Sequence, residues 1–142
     1  ATDVVFGVHD ARLALVGAVH LAMGDAMAEL GVSVLPDARE AGVGTALVAR
    51  AAEHARNRAV PCLYMHCLAE NARMVRIARR AGMDVVFDGG DADAHLALPP
   101  ATPWSHASEM LADRVALCDY ALRAEVEMWR RLRAALADTT GA

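Results

Sequence analysis

The fold is decided by VLPDAREAGVGTAL, residues Val34 to Leu47. An apolar, strand-like approach stops at Pro36, which has no N–H to give a sheet. A polar turn follows, and two glycines one residue apart, Gly42 and Gly44, then open a segment rich in alanine. Val43, Leu47, Ala51 and Ala55 recur every four residues, so Thr45 to Asn57 reads as a helix with one apolar face. Strand, glycine turn and helix in that order place unpaired N–H groups and a partial positive charge where a ligand can come close. Such a helix start suits phosphate, and Arg39 adds a charge-assisted contact. Two common phosphate loops do not fit. A P-loop needs a lysine, and all 14 basic residues here are arginines. A dinucleotide fingerprint needs a small residue three after Gly44, where Leu47 stands.

Upstream, Val4 to Val8 and Leu13 to Met23 are β-rich runs separated by the turn HDAR. The turn GDAM then precedes a third strand, Glu29 to Leu35. Such short connections predict an antiparallel meander. Downstream, AVPCLYMHCL is apolar almost throughout, as a strand covered on both faces is. Asn71 is an N-cap for a helix whose Met74, Ile77, Ala78 and Ala81 share a face, and Gly82 ends it. MDVVF and ADAHLAL pair as a hairpin about DGGD. From Pro99 the composition changes. The chain divides into a core, 1–98, a linker, 99–107, and a C-terminal helical segment, 108–138. Leu111, Val115, Cys118, Leu122, Val126, Trp129, Leu132 and Leu136 form one stripe along that segment. About 30 helical residues would span about 45 Å, more than so small a domain covers. Either the helix breaks in two or its apolar face packs on a second subunit, and a homodimer is the expected assembly.

The chain has 142 residues, 56% of them hydrophobic, enough for one domain with its own core. No apolar run approaches the roughly 20 residues of a membrane span. Asp3, Asp10 and Arg12 interrupt the N-terminal apolar stretches, so no signal peptide is expected either. A net charge of −4 without a basic stripe argues against nucleic acid as a partner. Cys62, Cys67 and Cys118 are an odd number without metal-ligand spacing, and the first two share a short strand, too far apart to bond. A reducing cytoplasm and no metal are expected.

VSVLPDAREAGVGTALV, with its Arg39-x-x-Gly42-x-Gly44 spacing, resembles the acetyl-CoA-binding motif of the GNAT superfamily of N-acetyltransferases. There, a strand ending near a proline leads into a [Gln/Arg]-x-x-Gly-x-[Gly/Ala] turn. NARMVRIARRAGM resembles the family's Asn-x-x-Ala-x-x-Leu-Tyr-x-x-x-Gly-Phe, with Asn71, Ile77, Gly82 and Met83 in register. The resemblance covers roughly Val4 to Leu98. It implies an α/β (α+β) fold around a mixed, mostly antiparallel sheet, here with a long C-terminal helix added. Two parallel strands, Glu29 to Leu35 and Cys62 to Leu68, would splay apart. The pantetheine of acetyl-CoA (coenzyme A) would pair with backbone at Val34, Leu35 and Pro36 and touch Asn71. The pyrophosphate would rest on amides of Arg39, Glu40, Ala41, Gly42, Val43, Gly44 and Thr45. A side chain at Gly44 would then project into the pyrophosphate site. The implied reaction is transfer of acetyl to an amine, on a small molecule or a peptide, by direct attack on the thioester. The chain departs from the pattern twice. Ala78 stands at the family's tyrosine, the acid for the departing thiolate, and the chain starts at what corresponds to the second strand. An acyl-CoA-binding or sensing module without catalysis is the alternative.

Direct attack needs a base for the ammonium proton, a donor for the carbonyl oxygen and an acid for the sulfur. Glu29 stands where the family often carries a base; it reads equally as a surface carboxylate at a strand end. His20 either reaches the cleft or serves the sheet. His66 and Cys67 alternate across the strand, so only one can face the thioester. Cys67 becomes a nucleophile only if its pKa is lowered, and is otherwise an inert buried thiol. Tyr64 is a substitute acid or a core residue. Arg73, Arg76 and Arg80 either touch phosphates or lie on a solvated helix face. DGGDAD lacks the glutamate and spacing of a calcium loop and reads as a polar turn.

Overall fold

The computed structural model describes residues 3–39 and 42–140. Asp10 builds the first turn: its carboxylate accepts the amides of Arg12 and Ala14, and Leu13 takes a left-handed φ of 65°. Strand β1 (Asp3–His9) is therefore followed by β2 (Leu15–Met23), which starts later than the apolar run at Leu13 predicts. Local hydrogen bonding by an aspartate outranks hydrophobicity there. β3 (Ala28–Val34) completes an antiparallel meander. A 3-10 turn, Pro36–Ala38, and Gly42 at φ 78° lead into helix α1 (Val43–Asn57). β4 (Cys62–Leu68) then runs parallel to β3, and α2 (Ala72–Arg80) follows, capped by Asn71. The hairpin of β5 (Asp84–Asp88) and β6 (Asp91–Ala97) inserts β6 next to β4, so the sheet order is β1-β2-β3-β4-β6-β5.

The mixed, mostly antiparallel sheet implied by the sequence motifs is present. Its one parallel contact is short, joining only Ala28 to Leu63 and Glu29 to Tyr64. The six strands are thus two antiparallel triplets that meet in one brief step and then part. Behind them, Val19, Leu21, Leu30, Leu63 and Met65 pack under Leu47, Val48 and Ala51 of α1 and Ala78 of α2. Side chains alternate across strands, so the opposite face carries His20, Glu29, Tyr64, His66, Asp93 and His95.

The last element, α3, is a single helix, Pro103–Thr140. It starts before Ser108 because Thr102 Oγ1 accepts the Ser105 amide at 3.1 Å while Ser105 Oγ accepts the Thr102 amide at 2.9 Å. This reciprocal cap, with Pro103 in the first turn, takes in part of the stretch expected as linker. Its 38 residues span about 57 Å without a break. Glu109 and Asp113 hold α3 to α1 through His54, Asn57, Arg58 and Arg50. The stripe residues Leu111, Val115, Val126 and Trp129 remain at least half exposed. Cys118, Leu122, Leu132 and Leu136 lie outside the described side chains. No helix among the described residues is long and apolar enough to cross a membrane.

Candidate active site

The Leu35 amide donates to the Val16 carbonyl at 2.8 Å, which fixes the alternation of ladder bonds along β3. Odd-numbered residues face β2, and Val32 and Val34 turn their backbone groups toward the opening beside β4. The β3 backbone groups that face the opening are thus those of Val32 and Val34. Leu35 has committed its amide, and Pro36 has none. The Val34 carbonyl has a partner of its own, the Arg39 Nε–H at 3.0 Å. A cavity of about 160 Å³ lies between the end of β3 and α2, bordered by Val32, Val34, Arg39, Asn71 and Ile77 among others. Asn71 lines it while its Oδ1 caps α2, accepting the Met74 amide at 3.2 Å.

A second cavity, of about 50 Å³, lies at the glycine turn, walled by Arg39, Gly42, Val43, Gly44 and Thr45 and, from α2, by Arg73, Arg76 and Arg80. The helix arginines, which sequence left between phosphate and solvent, thus gather around the turn with Arg39. Arg73 Nε is buried and has no hydrogen-bond partner among the described residues, a donor on the wall of both cavities. Gly42 at φ 78° adopts a conformation that favours glycine, and a Cβ there would meet nothing within 4 Å. Open approach, arginines and an orphan donor fit an anionic, phosphate-bearing ligand. Gly44 has a different reason to be glycine. A Cβ on it would stand 2.6 Å from Ile77 Cδ1, so Gly44, which lines the turn's cavity, also permits α1 to approach α2. Glu40 and Ala41 lie outside the described residues.

On the sheet face away from α1 and α2, Glu29 sits exposed at the last parallel step, in register with Tyr64. Tyr64 donates its hydroxyl to Asp93 Oδ1 at 2.7 Å, and His66 Nδ1 bonds the same oxygen at 2.9 Å. His66 Nε2 is 3.6 Å from Asp91, and the His95 ring lies 4.9 Å from that of Tyr64. The bond to Asp93, with burial and carboxylate charge adding, pushes Tyr64 up to about 12. The bond to Asp93 likewise raises His66 above the ordinary histidine value, outweighing burial. Asp93 falls below its usual range because His66 and Tyr64 both bond it. Cys67 points the other way, toward the helices. Burial pushes its thiol up and the charge of Asp93 adds to that, so nothing there favours the thiolate a nucleophile needs. His20 pairs with Asp3 at 3.3 Å, across β1 and β2. Ala78 is 1% exposed and belongs to the core. Asp91 and Asp93 were read from sequence only as part of a polar turn, and His95 was missed. The signal was there: every second residue of DADAH is polar, and the register sets His66 opposite Asp93. No group of three or more metal-ligating side chains converges among the described residues.

The profile of the Acetyltransferase (GNAT) family matches residues 4–83, more than half of the chain. This chain belongs to the GNAT family. Solved GNAT-like structures share its fold. A mutant of the spermidine N-acetyltransferase from Vibrio cholerae is 21% identical with a TM-score of 0.57, covering 67% of this chain and 65% of its own. A putative acyl-CoA N-acyltransferase from Klebsiella pneumoniae is 16% identical with a TM-score of 0.63, covering 69% of this chain and 74% of its own. An N-acetyltransferase from Campylobacter jejuni, in complex with acetyl coenzyme A, is 16% identical with a TM-score of 0.53. That match covers 60% of this chain and 61% of the Campylobacter chain. At such identities the likeness is one of fold, and this GNAT chain spans less than two thirds of the Vibrio and Campylobacter proteins. No curated protein matches it.

Proposed function

We propose that this GNAT chain is an N-acetyltransferase that moves acetyl from acetyl-CoA to a primary amine by direct attack. The observation that carries the reading is a pair of cavities, one beside β3 and one at a glycine turn ringed by Arg39, Arg73, Arg76 and Arg80, with Val34, Arg39, Arg73 and Ile77 lining both. The donor is consumed as substrate. Backbone of Val32 and Val34 and the Asn71 side chain hold its pantetheine arm. Amides from Gly42 to Thr45, with the arginines, hold its phosphates. Arg39 leaves the Val34 carbonyl when the arm pairs there, which frees its guanidinium for the pyrophosphate. Glu29, exposed at the last parallel step, takes the ammonium proton of the acceptor. The acceptor is a small-molecule or peptide amine; Glu29, Asp91 and Asp93 give its side of the sheet a negative potential that suits a cation. The exposed stripe of α3 pairs with that of a second copy, making a homodimer, and the free thiols of Cys62 and Cys67 fit the reducing cytoplasm.

Acetyl-CoA raises the melting temperature in this reading, by an amount equivalent to about 2.7 kcal/mol at a hundredfold excess over Kd. No shift at millimolar acetyl-CoA overturns it. Thiol release is then screened over a panel of primary amines, and Glu29→Gln lowers it. A melting shift with only background release across the panel would instead identify an acyl-CoA-sensing module.

A further inference from the structure

We propose that His66, held in place by Asp93, is the general acid that protonates the departing sulfur, in the role left empty by Ala78. The assignment rests on the acetyl-transfer reading and deepens it. Position is the first ground. His66 lies two residues beyond Tyr64 on β4, where the strands have parted, and on the same face as Glu29. Orientation is the second. Asp93, its register partner on β6, bonds Nδ1 at 2.9 Å, which fixes the ring and sets Nε2 at 3.6 Å from Asp91. The groups facing the ring are Asp91, Asp93 and His95 of β6, Tyr64 of β4 and Glu29 of β3. Three of these are carboxylates, and they favour the imidazolium, the form that can give a proton.

The competing donors fail on the same face or on the other. Tyr64 has its hydroxyl proton committed to Asp93 and sits at about 12, so giving that proton to a thiolate whose acid lies near 8.5 runs uphill. Cys67 faces the helices. Ala78 has nothing to give. The step balances in atoms and charge. Glu29 takes one proton from the ammonium, and the freed nitrogen forms the C–N bond. Nitrogen loses a second proton to water. The C–S bond breaks with its electron pair on sulfur, and His66 Nε2–H protonates that sulfur. Glu29 gives its proton to solvent, the ring regains one from solvent, and one proton is released per turnover. His66 is the catalytic residue here, and Asp93 is a positioning residue that acts through it.

The test measures kcat against pH, with acetyl-CoA and the best amine of the panel, in the wild type, His66→Gln and Asp93→Asn. Wild-type kcat falls along an alkaline limb as the ring deprotonates. His66→Gln lowers kcat about 10²-fold, the size of one general acid, and abolishes the limb. Asp93→Asn moves the limb to lower pH, a change that a merely structural contact would not produce. Both variants keep the acetyl-CoA-dependent rise in melting temperature. A His66→Gln enzyme with undiminished kcat and the same limb overturns the assignment alone. Background turnover by the wild type with acetyl-CoA bound also overturns it, and no melting shift in the wild type overturns the underlying reading and this one together.

Discussion

Gly42 and Gly44 look alike in the sequence and differ in what they meet. Gly42 answers a backbone need, a φ of 78°, with open space beyond; Gly44 answers a packing need, with Ile77 Cδ1 at 2.6 Å from where its Cβ would be. In Gly44→Ala the push on Ile77 Cδ1 should therefore hold back the gain of about 1 kcal/mol that alanine otherwise brings to a helix. Ile77→Val removes the offending Cδ1, so the double variant should melt above Gly44→Ala, a favourable coupling in a double-mutant cycle. Gly42→Ala costs about 1–2 kcal/mol from the left-handed backbone, and Ile77→Val should not rescue it. Equal responses of the two glycines to Ile77→Val in thermal melts would refute this division. The spacing of the glycines was legible because it is local. Their separate reasons were not, because Ile77 is brought to Gly44 only by the packing of α1 on α2. Glu29 is similar: its residue type and strand were readable, and its place at the end of the parallel contact needed the sheet register.

At the scale of elements, strands and helices announced themselves by period, turn and cap, and the exceptions share a cause. Leu13 was drawn into a turn by Asp10, and α3 was extended to Pro103 by the exchange between Thr102 and Ser105. Polar side chains decided both, where hydrophobic periodicity is silent. The same applies to how α3 docks. Its apolar stripe is what the sequence displays, yet the seam that meets α1 carries Ser105, Glu109 and Asp113. Glu109 bonds His54 at 2.6 Å, Asn57 at 2.7 Å and Arg58 at 3.1 Å. Burial pushes its carboxyl up, but the bonds from Asn57 and His54 and the charge of Arg58 outweigh it and hold it below the ordinary 4.5. A depressed folded-state pKa adds stability that is complete above the unfolded value and lost as pH falls through the folded one. Glu109→Gln should thus cost about 1–2 kcal/mol at neutral pH, with the gap to the wild type closing in acid. A gap in melting temperature that stays constant as pH is lowered past 4.5 would count against the latch.

For the whole molecule, the uncovered surfaces among the described residues include the polar sheet face that holds Glu29 and His66, and the Leu111, Val126 and Trp129 positions of the α3 stripe. The stripe advances from Leu111 to Val115, Cys118 and Leu122 in steps of four, three and four, the spacing of a helix-to-helix seam. Leu111→Asp combined with Trp129→Asp should convert a dimer to a monomer in light scattering while leaving the melting shift with acetyl-CoA intact. A wild type that is already monomeric would contradict the pairing. The stripe is written in the sequence, whereas the docking of α3 on α1 is set by the polar seam beside it. The two-residue parallel contact has a mechanical meaning as well. Each antiparallel triplet is a stiff leaf, and the leaves are stitched to one another at one end of their margin, with α1 and α2 as the spine. A pantetheine arm lying in that margin adds a second stitch. The donor would then stiffen the sheet as well as occupy it, and the leaves would loosen each time spent coenzyme departs.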